Sequence, residues 1–235
     1  MTTLATSATP GRAAAHVVPP TTPERPGRAL AVRRGFLVAA PVLAGLLCIL
    51  GAVADPAAGI SGTQMHHLYT AHPGPLQWKS TGFHWAYALW IAPALLIAPY
   101  VRRRGAWIAN VAALLGLLGM TTLPGMLISD WFESAIGQAY GNAAVTKVDD
   151  LIFSTMWGPV GFMIPGMVGF FLALPIATIA MVRAGRMRWY ALAPVVLAYV
   201  AFMGSGVRPW GTVLTALLLS AYAVLLARAT RPQAG

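Results

Sequence analysis

The chain has 235 residues, of which 57% are hydrophobic and only 9% are charged, and its mean hydropathy is +0.67. A soluble globular domain carries about a quarter charged residues, so this composition excludes a water-covered surface and predicts that a lipid bilayer is the solvent. The formal net charge of +10 does not predict nucleic-acid binding, because the arginines form short clusters between apolar runs.

Apolar runs of the length that crosses a bilayer recur along most of the chain. They predict an all-α membrane protein, a polytopic bundle of about six transmembrane helices with two long outer loops. Residues 1–29, rich in Ala, Thr and Pro, are predicted to be a disordered cytoplasmic tail, and residues 229–235 a second cytoplasmic tail. The bundle is assigned to residues 30–228, with predicted helices at 35–54, 83–100, 106–128, 160–182, 189–204 and 210–227.

Basic residues between these runs predict the orientation of the helices. Twelve arginines fall on one side, and three basic residues fall on the other, namely Lys79, Lys147 and Arg208. Cytoplasmic loops are enriched in Lys and Arg, so both termini are predicted to be cytoplasmic, in a multi-pass protein of the cell membrane. The first group comprises Arg25, Arg28, Arg33, Arg34, Arg102, Arg103, Arg104, Arg183, Arg186, Arg188, Arg228 and Arg231.

The first apolar run has a second interpretation. Arg33 and Arg34 precede it and Ala52-Val53-Ala54 ends it, as in a twin-arginine signal peptide with an A-x-A cleavage site. Cleavage would leave five helices with the same orientation of the C-terminus. Retention is favoured, because the run is long enough to span a membrane and the remaining chain is itself polytopic.

Two carboxylates lie at the outer end of the third predicted helix. Asp130 ends an apolar run of about twenty residues, and Glu133 follows one helical turn later. At this spacing the two like charges repel each other, which favours a proton on one of them. We predict Asp130 and Glu133 as catalytic acid/base or cation-binding residues. The alternative is that the helix ends at Ile128 and both acids are solvated at the interface.

Four histidines form a second group in the first outer loop and the start of the next helix. Imidazole binds zinc, copper and haem iron, so this group predicts a metal site, although its spacing matches no closed zinc motif. Ordinary interfacial histidines are the alternative. The residues are His66, His67, His72 and His84.

Aromatic residues are concentrated toward the same outer side. Interfacial Trp and Tyr commonly form a belt at the lipid headgroups, but this belt is uneven, and an aromatic-lined outer pocket would suit an apolar or cationic ligand. The predicted substrate-binding residues are Trp78, Trp85, Trp131, Tyr140 and Trp157.

Together these features predict a membrane protein that handles a lipidic or apolar small molecule in an outward-facing pocket, with acid-initiated isoprenoid or lipid chemistry if it is an enzyme. Two alternatives remain: a non-enzymatic small transporter or membrane subunit of a larger complex, and a haem- or copper-binding membrane protein. The expected partners are the lipid bilayer, an apolar small-molecule ligand, and a further subunit or copies of the chain; nucleic acid is not expected.

Overall fold

The computed structural model describes residues 27–101 and 103–231 of the chain. Within that part there are nine α-helices and no strand. Most of the predicted N-terminal tail, Arg25, Arg102 and the last four residues lie outside it. The helices are α1 (Arg28–Ala54), α2 (Thr63–Ala71), α3 (Pro73–Leu96), α4 (Ala106–Met126), α5 (Ile128–Tyr140), α6 (Asn142–Thr155), α7 (Gly158–Arg183), α8 (Leu192–Gly204) and α9 (Pro209–Ala229).

The helices confirm the predicted all-α, multi-pass membrane class. Five helical segments of the described chain are long and apolar enough to cross a membrane. The fifth predicted helix, at 189–204, corresponds to the shorter apolar segment Trp189–Gly204, which consists of a 3-10 turn followed by α8. The five long segments are Arg28–Ala54, Pro73–Tyr100, Ala106–Tyr140, Gly158–Arg183 and Pro209–Ala229.

Two helices begin earlier than the apolar spans predicted from the sequence, and for the same reason. Helix α1 begins at Arg28 instead of residue 35, and α3 begins at Pro73 instead of residue 83. Polar residues occupy the added turns, so the rise in hydropathy comes later than the helix itself. Proline at the first helical position of α3 is a standard helix start, because its missing N–H has no intrahelical partner there.

Small residues allow the helices to approach each other closely. Helices α4 and α7 cross at Gly119 and Gly169, where a Cβ atom added to Gly169 would lie 2.3 Å from the Gly119 nitrogen. Helices α1 and α9 meet at Gly45, whose added Cβ would lie 2.6 Å from the Ala216 Cα. Such contacts are typical of membrane helices, whose association depends on packing because lipid supplies no hydrophobic driving force.

An aromatic core joins α3, α7 and α8. Trp90 stacks on Tyr199 with 4.8 Å between ring centroids, and Phe170 and Phe202 pack edge-on against Trp90. The Tyr199 hydroxyl donates a 2.6 Å hydrogen bond to the Phe170 carbonyl. The short helix α8 is therefore anchored in the bundle interior by a satisfied polar group as well as by ring packing.

The bundle has two chemically different ends. One end, which we call the arginine end, contains the start of α1, the end of α9 and the α3–α4 and α7–α8 connections. Arg34 of α1 donates a 3.2 Å hydrogen bond there to the Ala227 carbonyl of α9, and the two connections lie side by side. At the opposite end, which we call the cap end, α2, α5 and α6 pack on one another. The two segments predicted as outer loops thus fold into a three-helix cap.

The cytoplasmic position of the arginine end remains a prediction, which cysteine labelling can test. Cys48 is fully buried and serves as a silent background. In intact cells, a membrane-impermeant maleimide should label Ser61→Cys at the cap end, and should label Arg231→Cys only after permeabilisation. Both positions are exposed. The reverse pattern would place the cap in the cytoplasm.

Candidate functional site

Asp130 forms a buried ion pair where the cap meets the bundle. Its Oδ2 lies 2.5 Å from the Nζ of Lys79 in α3 and accepts a 2.7 Å hydrogen bond from the Ser80 hydroxyl. The Lys79 and Asp130 side chains are only 10% and 14% exposed. The Lys79 ammonium also lies over the Tyr69 ring, 4.7 Å from its centroid. Asp130 is therefore a paired carboxylate that ties α5 to α3.

The local fold brings these groups together. Helix α4 ends at Met126 and the chain starts a new helix at Ile128, so Asp130 lies in the first turn of α5. A carboxylate is favourable there because the helix N-terminus is electropositive. The end of α4 is thus close to the Ile128 of the interfacial alternative, but Asp130 is paired with Lys79 and is not solvated as that alternative expected.

Groups around Lys79 titrate away from their ordinary values. Burial raises the pKa of the Tyr69 phenol to about 12, although the nearby Lys79 charge lowers it. Burial also raises the pKa of Asp55, against the opposing effects of the Ala57 N–H, which donates a 2.9 Å hydrogen bond to its Oδ1, and of Lys79. Desolvation is thus the dominant effect on the pKa of Tyr69 and of Asp55.

Glu133 lies one turn beyond Asp130 in α5 and differs from it in its partners. Its Oε2 is buried and has no hydrogen-bond partner among the residues that the structure describes. Buried polar atoms are nearly always paired, so this oxygen is free to accept a proton or a hydrogen bond from a ligand or a water. The two predicted carboxylates therefore have different roles: Asp130 is engaged, and Glu133 is available.

Two of the predicted histidines join α2 to α6. His66 Nε2 lies 3.7 Å from Asp149 Oδ2, which makes an ion pair when the imidazole is protonated. The Asn142 amide nitrogen donates to His67 Nδ1, and the Asn142 oxygen accepts a 2.8 Å hydrogen bond from the Thr70 hydroxyl. These contacts hold the cap helices together.

The other two histidines lie apart from that pair. His72 is exposed at the junction of α2 and α3, and His84 Nδ1 is 3.0 Å from the Pro124 carbonyl. Within residues 27–101 and 103–231, no group of three or more His, Cys, Asp or Glu side chains could hold a metal ion. The four histidines are therefore not assembled into one set of metal ligands.

The five predicted aromatic residues are spread over the surface. Trp78, Trp85, Tyr140 and Trp157 are each more than half exposed, and Trp157 reaches 81%. Trp131 is 42% exposed and lines a cleft. A single aromatic pocket is not formed by these residues, and their exposure is that of side chains facing lipid or its interface.

The cleft that contains Trp131 lies between the start of α3 and the middle of α5. Its volume is about 380 Å³. Apolar groups form much of its wall, and Gln138 donates a 3.1 Å hydrogen bond to Ser134, whose hydroxyl in turn donates to the Tyr69 carbonyl at 2.8 Å. The lining residues are Pro73, Leu76, Gln77, Trp131, Ser134, Ala135 and Gln138.

Comparison of the chain with known proteins found no matching family model, no similar curated protein and no similar solved structure. The geometry of the site is therefore the basis for a functional proposal.

Sequence reasoning missed Lys79 and Ser80, because it assigned them to a loop. One signal was present: Leu76, Ser80 and Phe83 recur at intervals of three or four residues, which is the spacing of one helix face. All three are buried in α3. If this spacing is followed through the polar residues, the predicted helix at 83–100 begins earlier and includes Lys79 and Ser80.

Proposed function

We propose that this protein binds a lipidic or amphipathic small molecule in the cleft between α3 and α5, at the cap end of the bundle. The observation that carries the proposal is the cleft itself, whose walls combine Leu76, Trp131 and Ala135 with the amides of Gln77 and Gln138. Ligand sites are typically mostly apolar with a few polar groups that fix orientation. This lining suits a molecule with a hydrocarbon part and a hydrogen-bonding head.

Binding is better supported than acid catalysis. Neither Asp130 nor Glu133 belongs to the cleft lining, and the Asp130 carboxylate is occupied by Lys79 and Ser80. A general acid must reach the atom that it protonates. The paired Asp130 instead fixes α5 against α3, the two helices that form the cleft.

The cleft can be filled without disturbing the ion pair. Ala135 lines the cleft, and Ala139 lies one turn later in α5 on an exposed position outside it. We expect Ala135→Trp to reduce photo-crosslinking of a diazirine fatty acid to the peptides 73–77 and 131–138 by at least tenfold. Ala139→Trp, the matched control, should leave it unchanged.

The crosslinked peptides are identified by mass spectrometry of the detergent-purified protein after irradiation. Equal labelling of both variants, or labelling confined to the outer faces of the long helices, would contradict a specific cleft. Native mass spectrometry of the unmodified protein would separately reveal a co-purified lipid or a stoichiometric partner, and the latter outcome would favour a membrane subunit.

A further inference from the structure

The arginine end holds a second candidate site, far along the bundle from the cap. A cavity of about 670 Å³ lies where the α3–α4 and α7–α8 connections meet. Arg103, Arg104 and Arg183 line it together with Trp107 and Trp189. Three guanidinium groups and two indoles from separate parts of the chain thus border one cavity; we call it the arginine pocket.

The backbone fixes the arginines in this position. Arg103 and Gly105 both have left-handed backbone angles, with φ of 55° and 89°, so the connection turns sharply into α4. A Cβ atom added to Gly105 would lie 2.6 Å from the Ala180 carbonyl oxygen of α7. Only glycine tolerates both that φ and that contact, and the contact places the start of α4 beside Arg183.

No carboxylate of the described chain neutralises these arginines. Within residues 27–101 and 103–231, every Asp and Glu belongs to α5, α6 or the α1–α2 connection. The ion pairs that these carboxylates form involve His66 and Lys79. The α4 N-terminus adds its own positive potential to the pocket. A polyanionic or phosphate group is the chemical complement of such a site.

We propose that the arginine pocket binds the phosphate headgroup of an anionic phospholipid. Arginine forms bidentate hydrogen bonds to phosphate oxygens, and basic pockets between membrane helices are suited to anionic headgroups. Trp107 and Trp189 are 76% and 59% exposed, as expected of indoles that lie at the level of the headgroups. The acyl chains then follow the apolar outer surfaces of α4 and α7.

The test compares lipid retention by the full chain and by two triple variants. Protein is exchanged into mixed nanodiscs of phosphatidylglycerol and phosphatidylcholine, released into detergent, and the bound lipid is measured by native mass spectrometry. The pocket variant is Arg103→Gln, Arg104→Gln and Arg183→Gln. The control removes the same charge outside the pocket, by Arg28→Gln, Arg33→Gln and Arg231→Gln.

We expect the pocket variant to lose phosphatidylglycerol retention at least tenfold and the control to keep it within about twofold, because only the pocket arginines line one cavity and can bind the same phosphate group. A third variant with lysine at the three pocket positions tests folding, because it keeps the charge; intermediate retention is expected from loss of bidentate geometry. The proposal would be overturned if both glutamine variants lost phosphatidylglycerol equally, or if the unmodified protein retained phosphatidylcholine as well as phosphatidylglycerol.

Free phosphate compounds separate a lipid site from a general anion site. Glycerol 3-phosphate carries the same phosphate without acyl chains, and at millimolar concentration it should leave the retained phosphatidylglycerol in place. Displacement by glycerol 3-phosphate, or capture of an acidic protein without any lipid preference, would also overturn the proposal.

Discussion

Replacing Asp130 with asparagine should destabilise the protein by about 3–5 kcal/mol, because it removes one partner of a buried ion pair and leaves the Lys79 ammonium without its carboxylate. The Lys79 side chain is only 10% exposed, so water cannot readily replace the lost partner. The change is measured as the free energy of unfolding in detergent, followed by tryptophan fluorescence.

The matched control for this prediction is Asp150→Asn. Asp150 is an exposed carboxylate in α6, and its loss should change stability by less than about 0.5 kcal/mol. The double variant Lys79→Met with Asp130→Leu should recover most of the stability lost in Asp130→Asn, since a buried pair replaced by apolar groups is often neutral. Equal effects of Asp130→Asn and Asp150→Asn would show that the ion pair contributes nothing.

The second large effect is expected at the crossing of α4 and α7. In Gly169→Ala the new methyl group would lie 2.3 Å from the Gly119 nitrogen and 2.4 Å from the Leu115 carbonyl oxygen. These are backbone atoms, which cannot rotate away, so the two helices must separate. We expect a loss of about 3 kcal/mol, at the upper end for overpacking, in the same unfolding measurement.

Two other glycines provide controls on the same two helices. Gly125 of α4 and Gly158 of α7 have no heavy atom within 4 Å of an added Cβ atom. Alanine at either position should leave stability unchanged or raise it by up to about 1 kcal/mol, because it lowers the conformational entropy of the unfolded chain. If Gly169→Ala were as well tolerated as these two, the close contact between α4 and α7 would not exist in solution.

The sequence predicts the bounds of a helix best when the helix and its apolar run end at the same residues. Helix α7 was predicted at 160–182 and spans Gly158–Arg183, and α9 was predicted at 210–227 and spans Pro209–Ala229. Arginines follow the apolar run in both cases, so hydropathy and charge mark the same boundary. In α3 the helix begins before its apolar run, because the side chains of its first turns include polar groups that face the cap.

Asp130 was identified from the sequence, but its partner was not. Lys79 and Asp130 are 51 residues apart in the sequence. In a hydropathy profile each is only an isolated charge near the edge of an apolar run. Only the packing of α5 against α3 shows that the two charges meet and neutralise each other. The same packing leaves Glu133 Oε2 without a hydrogen-bond partner among the described residues and exposes most of the predicted aromatic residues, neither of which a linear pattern can predict.

Helix α8 has a consequence for the surrounding bilayer. Its thirteen residues span about 20 Å, and the 3-10 turn before it adds about 6 Å, whereas the hydrocarbon core is about 30 Å thick. Arg188 precedes this segment and Arg208 follows it, so a charge lies just beyond each end. A crossing of the bilayer by α8 requires local thinning, or Arg188 and Arg208 extending their side chains toward the interface, and this hydrophobic mismatch should make the α8 side of the bundle favour thinner membranes or shorter acyl chains.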